Sequence, residues 1–284
     1  MSTGLPKPRI EPFYFGVDKP LFGCYHRPQS ELPRSCAVVL CHPMGDEYIR
    51  FHRALRQLAV HLTVVGFPVL RFDFHGCGDS AGDDLDWRIS RWQADLGLAI
   101  TEARRRSGSS GVALAGLRLG ATLAATVGAE RQDVVAAALW DPVLDGEAHL
   151  QELQALHNSM LRRAHALPQS PDGASPPPQG TLGGMPAEPE LLGFRLCSAL
   201  RAEIAAIDLL ALAGRPARHI LLVETSPDAQ QARFAEHLQG LGTAPKHIAV
   251  ASPQLWAWEE GVAKVVVPHS ILQTITAWLA GVCS

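Results

Sequence analysis

The chain has 284 residues, of which 47% are hydrophobic, so it is long enough to bury the core of one large α/β domain. Its formal net charge of -3 argues against nucleic acid as a partner and against binding to anionic membranes. No export signal follows Met1 and no apolar run could span a bilayer, which predicts a cytoplasmic protein. Six cysteines without C-x-x-C spacing suit reduced thiols: Cys24, Cys36, Cys41, Cys77, Cys197 and Cys283.

The first half of the chain alternates between strand and helix patterns. Segments 13–15 and 21–25 flank a Gly-containing turn and predict an antiparallel hairpin. Apolar runs at 36–41, 67–74, 111–115 and 134–140 predict buried strands, and helical spacing at 48–65, 87–106 and 119–129 predicts the helices between them. This order is typical of a doubly wound, mostly parallel sheet.

The regular alternation stops after residue 145 and resumes near residue 214. Helical stretches at 146–167 and 191–212 flank a Pro- and Gly-rich segment, 168–190, which we expect to be a mobile loop. A strand at 218–224, a helix at 229–241, a strand at 247–251 and a helix at 270–280 follow. The sequence therefore predicts a core, 1–145 and 214–284, with a helical cap insertion at 146–213.

The most informative motif is Gly-Leu-Arg-Leu-Gly at residues 116–120, between a buried strand and a helix. In a G-x-S-x-G nucleophile elbow, glycines at these two positions relieve crowding around a strained middle residue, which is exposed at the head of the helix. The spacing predicts such an elbow, although a simple tight turn is the alternative. The middle residue is Arg118.

Together with the order of elements, the stretch DFHGCGDS at 73–80 and the histidine-containing turn at 42–45 resemble the α/β-hydrolase superfamily. The likeness covers nearly the entire chain. Within the superfamily, residues 116–120 and LWDPVLDGE at 139–147 are similar to the hydrolase-like proteins of bacterial exosortase systems and exopolysaccharide clusters, particularly the second type.

The resemblance implies site residues. The base histidine of the superfamily corresponds to His269, before the last helix, and its acidic partner to Asp228, with Asp141 as the alternative position. The turn at 42–45 is where the superfamily builds its oxyanion hole, although Pro43 removes one backbone donor there. The binding residues implied near these positions are His42, Met44, Asp46, Glu47, Leu117, Leu119 and Asp141.

Arg118 changes the expected chemistry. A guanidinium stays protonated and cannot be activated by an imidazole, so Arg118 cannot form an acyl-enzyme. At a helix N-terminus it could bind an anion in a bidentate manner. Alternatively, Asp46 or Glu47 neutralises it within the protein, because an unpaired buried charge is costly. Both arrangements could hold if a ligand joins or displaces the carboxylate.

Three functions remain open at this stage. The first is a hydrolase-like protein of a bacterial biosynthetic pathway that binds an anionic or acyl-bearing ligand, free or carried on an acyl carrier. The second is an active esterase, thioesterase or acyltransferase with Cys41, Cys77 or Ser80 as its nucleophile. The third is a structural partner of a larger complex or a homo-oligomer, with Trp256 and Trp258 on a contact surface. Dispersed histidines predict no metal site, and no cofactor is expected.

Overall fold

The structure is a computed structural model that describes residues 10–18, 20–30, 32–166, 190–251 and 267–283. It begins with the predicted hairpin, β1 (Ile10–Phe15) and β2 (Leu21–His26), which pair in antiparallel register. The remaining strands of the main sheet are β3 (Cys36–Cys41), β4 (Val69–Phe72), β5 (Gly111–Leu117), β6 (Val134–Trp140), β9 (His219–Glu224) and β10 (Lys246–Ala249). A separate short hairpin contains β7 (Glu190–Leu191) and β8 (Phe194–Arg195).

The eight-stranded sheet has the order β1-β2-β4-β3-β5-β6-β9-β10. Strands from β4 to β10 in this order are parallel, and β2 joins β4 in antiparallel register. The predicted doubly wound, mostly parallel sheet is confirmed. Because β3 has β4 on one side and β5 on the other, the winding direction reverses here, and ligands commonly bind at the carboxyl ends of strands beside such a point.

Helices cover both faces of the sheet. They are α1 (Gly45–Val64), α2 (Ile89–Ser107), α3 (Leu119–Ala129), α4 (Gly146–Ala166), α5 (Ser198–Ala205), α6 (Ala229–Gly240) and α7 (His269–Val282). The core between α1, α7 and the sheet contains Phe51 and Ile275. The opposite core contains Trp92, Leu123 and Phe234 from α2, α3 and α6. Apolar side chains on both faces of the parallel strands explain their continuous hydrophobic runs.

The segment between β6 and β9, called the inserted segment (146–213), contains α4, the β7–β8 hairpin and α5. A helical stretch at 191–212 was predicted, and the prediction is wrong for the residues before α5, which form the β7–β8 hairpin. Leu192 and Gly193 have φ angles of 53° and 89°, which form a turn, and the Phe194 ring stacks on Trp87 at a centroid distance of 5.4 Å. The turn and this long-range contact replace the first helical turns with a hairpin.

Two predictions concern residues outside the described ranges. Trp256 and Trp258 lie outside the described residues, as does the Pro-rich segment except for Glu190, which begins β7. Within the described ranges, no helix combines the length and the apolar character needed to cross a membrane. In the same ranges, no group of three or more His, Cys, Asp or Glu side chains is arranged to hold a metal ion.

Candidate functional site

The turn between β5 and α3 has the geometry predicted from the glycine spacing. Arg118 has φ 52° and ψ -121°, a strained conformation for a residue with a side chain. A Cβ at Gly116 would lie 2.5 Å from the Gly120 carbonyl oxygen, and one at Gly120 would lie 2.3 Å from the Cys41 carbonyl oxygen. Both positions therefore exclude a side chain, and Arg118 is placed at the head of α3 beside the end of β3.

The Arg118 side chain is held between the core and the inserted segment. Its Nε donates to Glu47 Oε1 on α1 at 3.0 Å, and its Nη2 donates to Glu152 Oε2 on α4. His149 Nδ1, also on α4, lies 3.4 Å from the same Nη2. Arg118 and Glu47 each leave 13% of the side chain exposed, and Glu152 leaves 42%. We call these four residues the Arg118 cluster.

The electrostatics of the cluster favour the charged forms of Arg118 and Glu152. Burial alone would lower the pKa of Arg118, but Glu47 and Glu152 outweigh it and raise that pKa above its ordinary value. Burial likewise opposes the charge on Glu152, yet hydrogen bonding to His149 and the charge of Arg118 lower the pKa of Glu152 to about 2. Two carboxylates thus face one guanidinium, which leaves no excess positive charge for an anionic ligand.

An apolar cleft lies beside this cluster, beneath the inserted segment. Its floor includes Met44, Asp46 and Glu47, and its other walls are formed by Trp87 and by the inserted segment with Leu153, Leu156, Leu191, Leu192, Phe194 and Leu196. Arg50 is at its edge, 3.8 Å from Asp46. The cavity volume is about 30 Å³, room for very few water molecules, so the cleft is closed in this conformation.

The His42 ring is hydrogen-bonded to the backbone of two turns. Its Nε2 accepts a hydrogen bond from the Phe74 backbone N–H at 3.1 Å, which places the proton on Nδ1, 2.6 Å from the Pro43 carbonyl. Complete burial lowers its pKa, so the ring is neutral and ties the turns after β3 and β4 together. Leu117 and Leu119 are also fully buried, one in each core, and their side chains do not line the cleft.

His269 is not brought to the Arg118 cluster. It is exposed at the first residue of α7, and it lies close to His61, whose pKa is lowered by burial and by the charge of His269. Glu47 and His61 are fourteen residues apart in α1, about 21 Å along the helix axis. His269 and the Arg118 guanidinium therefore lie beside different parts of α1.

The two carboxylates predicted as acidic partners also accept hydrogen bonds from groups outside the Arg118 cluster. The Asp228 carboxylate is exposed and accepts a hydrogen bond from the Gln230 N–H, which makes it the N-cap of α6. Asp141, at φ 41° after β6, is buried and accepts hydrogen bonds from the Thr225 backbone N–H at 3.0 Å and from its hydroxyl. Both carboxylates stabilise connections at the ends of strands.

The three proposed alternative nucleophiles lie in unreactive surroundings. Cys41 and Cys77 are buried, and burial raises the pKa of each thiol, which disfavours the reactive thiolate. The Ser80 hydroxyl donates to the Asp73 carbonyl at 2.6 Å and accepts from the Phe22 N–H at 2.8 Å. Its oxygen thus links β2 to the turn after β4.

Sequence reasoning missed two members of the cluster. His149 and Glu152 are three residues apart on α4 and therefore share a helix face, next to the cleft residue Leu153. That spacing was the available signal. Their approach to Arg118 depends on how α4 folds back over the sheet, which the local pattern does not specify.

A model of the Hydrolase_4 family, described as serine aminopeptidase, S33, matches residues 33–177, just over half of the chain. The chain belongs to the Hydrolase_4 family. The matched region of this Hydrolase_4 chain includes β3, the turn at 42–45, the Arg118 elbow and α4. A comparison with curated proteins finds no match.

Solved structures share the fold of this Hydrolase_4 chain. An esterase of Pyrococcus furiosus is 13% identical with a TM-score of 0.63, over 98% of this chain and 92% of that one. Est1E of Butyrivibrio proteoclasticus is 14% identical with a TM-score of 0.63, over 95% and 98%. An esterase of Rhizomucor miehei is 17% identical with a TM-score of 0.61, over 98% and 85%. The chain therefore has the α/β-hydrolase fold.

Proposed function

We propose that this protein is a hydrolase-like member of its family that has no serine-hydrolase catalysis and holds an acyl-bearing ligand in the apolar cleft beneath the inserted segment. The observation that carries the proposal is the place of Arg118, at the elbow position where a nucleophile is expected. A guanidinium cannot give up a proton to become a nucleophile. His269 and Asp228, the proposed base and acid, lie apart from it.

The cleft supports an acyl group better than a free anion. Leucine and aromatic side chains line most of it, and burying an apolar chain there would be favourable by about 25 cal/mol per Å² of apolar surface. At the charged end, Glu47 and Glu152 already neutralise Arg118. These ion pairs favour the alternative in which Glu47 neutralises Arg118 within the protein. They also remove the reason to expect that Arg118 alone binds an anion.

Ligand entry would require the inserted segment to move away from the core. Glu152 is the exposed member of the Arg118 cluster, and its bond to Arg118 joins α4 to the elbow. A ligand whose polar group replaces the Glu152 carboxylate would open the cleft without leaving the guanidinium unpaired. On the resemblance of residues 116–120 and 139–147 to exosortase-associated proteins, we assign this function to a bacterial biosynthetic pathway, and the scattered cysteines favour the cytoplasm as its compartment.

Binding of methyl octanoate, a neutral acyl probe, tests the proposal. We expect it to raise the melting temperature of the protein without releasing methanol. Leu156→Glu places a charge in the cleft and should abolish the shift, whereas Leu98→Glu, at an exposed position on α2, should preserve it. A shift that survives Leu156→Glu would place the ligand elsewhere, and methanol release would favour an active esterase.

A further inference from the structure

A second cavity, of about 200 Å³, lies on another side of the turn at 42–45 and shares no lining residue with the cleft. It is bounded by β2, β4 and the first half of α1, and its polar side chains include Arg71, Cys24, Tyr48 and His52. Leu40, Leu55 and Phe72 form apolar parts of its wall. The function proposed above does not use this cavity.

Among the described residues no carboxylate lies at ion-pair distance from Arg71, and the charge of Asp73 offsets only part of the cost of burying its guanidinium. Its Nε donates to His26 Nε2 at 3.1 Å, and within the described ranges its Nη groups have no hydrogen-bond partner and no carboxylate pairs with it. His26 is completely buried, and burial together with the charge of Arg71 lowers its pKa to about 4. The partner that orients the guanidinium is thus neutral near pH 7. Burial also lowers the pKa of Arg71 despite the opposing charge of Asp73, and a further negative charge beside the guanidinium would raise it.

Asp73 and Asp79 also line the cavity, and the Asp73 carboxylate is already hydrogen-bonded. Asp73 Oδ1 accepts from the Tyr48 hydroxyl at 3.0 Å, and Asp73 Oδ2 accepts from the Asp79 N–H at 3.1 Å. Their charges still repel anions, and a dianion more strongly than a monoanion. The cavity is also smaller than the usual sites of drug-sized ligands. These features together select a small ligand with a single negative charge.

We propose that this cavity binds a small monocarboxylate whose two oxygens accept hydrogen bonds from the Arg71 guanidinium and whose short apolar part packs against Leu40, Leu55 and Phe72. Planar, bidentate pairing of guanidinium with carboxylate gives both strength and orientation. This site is distinct from the Arg118 cluster. A negative result for the monocarboxylate proposal can therefore be told apart from a negative result for the acyl-binding proposal.

Propionate is the probe for the first experiment, with propionamide and inorganic phosphate for comparison. We expect propionate to bind to the wild-type protein in a calorimetric titration and to lose at least tenfold in affinity in Arg71→Met. Arg53→Met, an exposed position on the same helix as His52, should bind as the wild type does. Equal binding of propionate to Arg71→Met, or equal binding of propionamide or phosphate to the wild type, would overturn the proposal.

A second experiment needs no substitution. Cys24 lies directly opposite Arg71 in the β2–β4 register and is half-buried, whereas the other five cysteines are buried. Saturating propionate should slow the alkylation of Cys24 by N-ethylmaleimide at least threefold, as measured by peptide mass spectrometry, and propionamide should not. An alkylation rate that propionate leaves unchanged would contradict the proposal even if Arg71→Met does not fold.

Discussion

Arg118 Nε donates to Glu47 Oε1 at 3.0 Å, which joins the elbow after β5 to the first turn of α1. Both side chains are largely buried, so the pair is protected from solvent screening. Glu47 also lies in the first turn of α1, where a negative charge is favourable. The pair connects the two elements that flank the carboxyl ends of β3 and β5.

Removing the guanidinium should destabilise the protein, because Glu47 and Glu152 would then face each other without a cation. We expect Arg118→Met to lower the free energy of unfolding by about 3 kcal/mol. Adding Glu47→Gln should restore at least about 1 kcal/mol of that loss, since it removes the unpaired charge. Urea unfolding of the three proteins measures both effects, and full stability of Arg118→Met alone would show that the cluster is unimportant to the fold.

The contribution of Glu152 should depend on pH. Its pKa in the folded protein, about 2, lies below its ordinary value of 4.5, so its stabilisation is present above about pH 4.5 and is lost as the pH falls toward 2. Glu152→Gln should therefore cost under about 1 kcal/mol at pH 6, given the exposure of this side chain, and less at pH 3.

Urea midpoints at the two pH values measure this difference for Glu152. Glu236→Gln, at an exposed position in the middle of α6, is the control for the loss of a surface carboxylate. A cost of Glu152→Gln that stays constant or grows on acidification would be inconsistent with its low pKa.

The elbow should tolerate no side chain at its second glycine. A Cβ at Gly120 would lie 2.3 Å from the Cys41 oxygen and 2.4 Å from the His42 oxygen, so α3 would have to move from the end of β3. We expect Gly120→Ala to cost about 3 kcal/mol. Gly97→Ala is the control in a helix where a Cβ meets nothing within 4 Å, and it should stabilise by about 0.5–1 kcal/mol. Equal effects in thermal unfolding would contradict the close approach.

Introducing a hydroxyl at the elbow should not produce hydrolysis. In Arg118→Ser the new serine would have no imidazole beside it, because His269 lies near His61 and far along α1 from Glu47. We expect cleavage of p-nitrophenyl butyrate at the rate of the buffer blank. Cleavage above that rate, lost again when His269→Ala is added, would mean that the histidine reaches the elbow.

Much of the fold was predictable because its signals are local. The apolar runs of β3 and β5 and the 116–120 glycines specify a buried strand, a turn and a helix without long-range information. The antiparallel junction of β2 with β4 was not predicted, because the pairing of distant strands has no local signature. The turn at Leu192 was also not predicted, because its positive φ depends on packing that apolar spacing does not reveal.

The site was less predictable than the fold. Glu47 was among the expected partners of Arg118 because it follows the turn at 42–45 in sequence, and the structure pairs the two side chains. Glu152 was not, because it comes from the inserted segment, whose position over the sheet depends on contacts such as that of Phe194 with Trp87. Chain order also could not place His269 relative to Arg118, because the distance between the two side chains depends on how distant elements pack together.

Treatment of the wild-type protein with a fluorophosphonate probe tests the absence of serine-hydrolase catalysis most directly, with an active serine esterase labelled in parallel. We expect no time-dependent labelling above that of the heat-denatured protein, because the elbow offers a guanidinium and the Ser80 hydroxyl is hydrogen-bonded both as donor and as acceptor. Stoichiometric labelling of the folded protein, assigned by peptide mass spectrometry to Ser80 or another serine and abolished by its replacement with alanine, would contradict it.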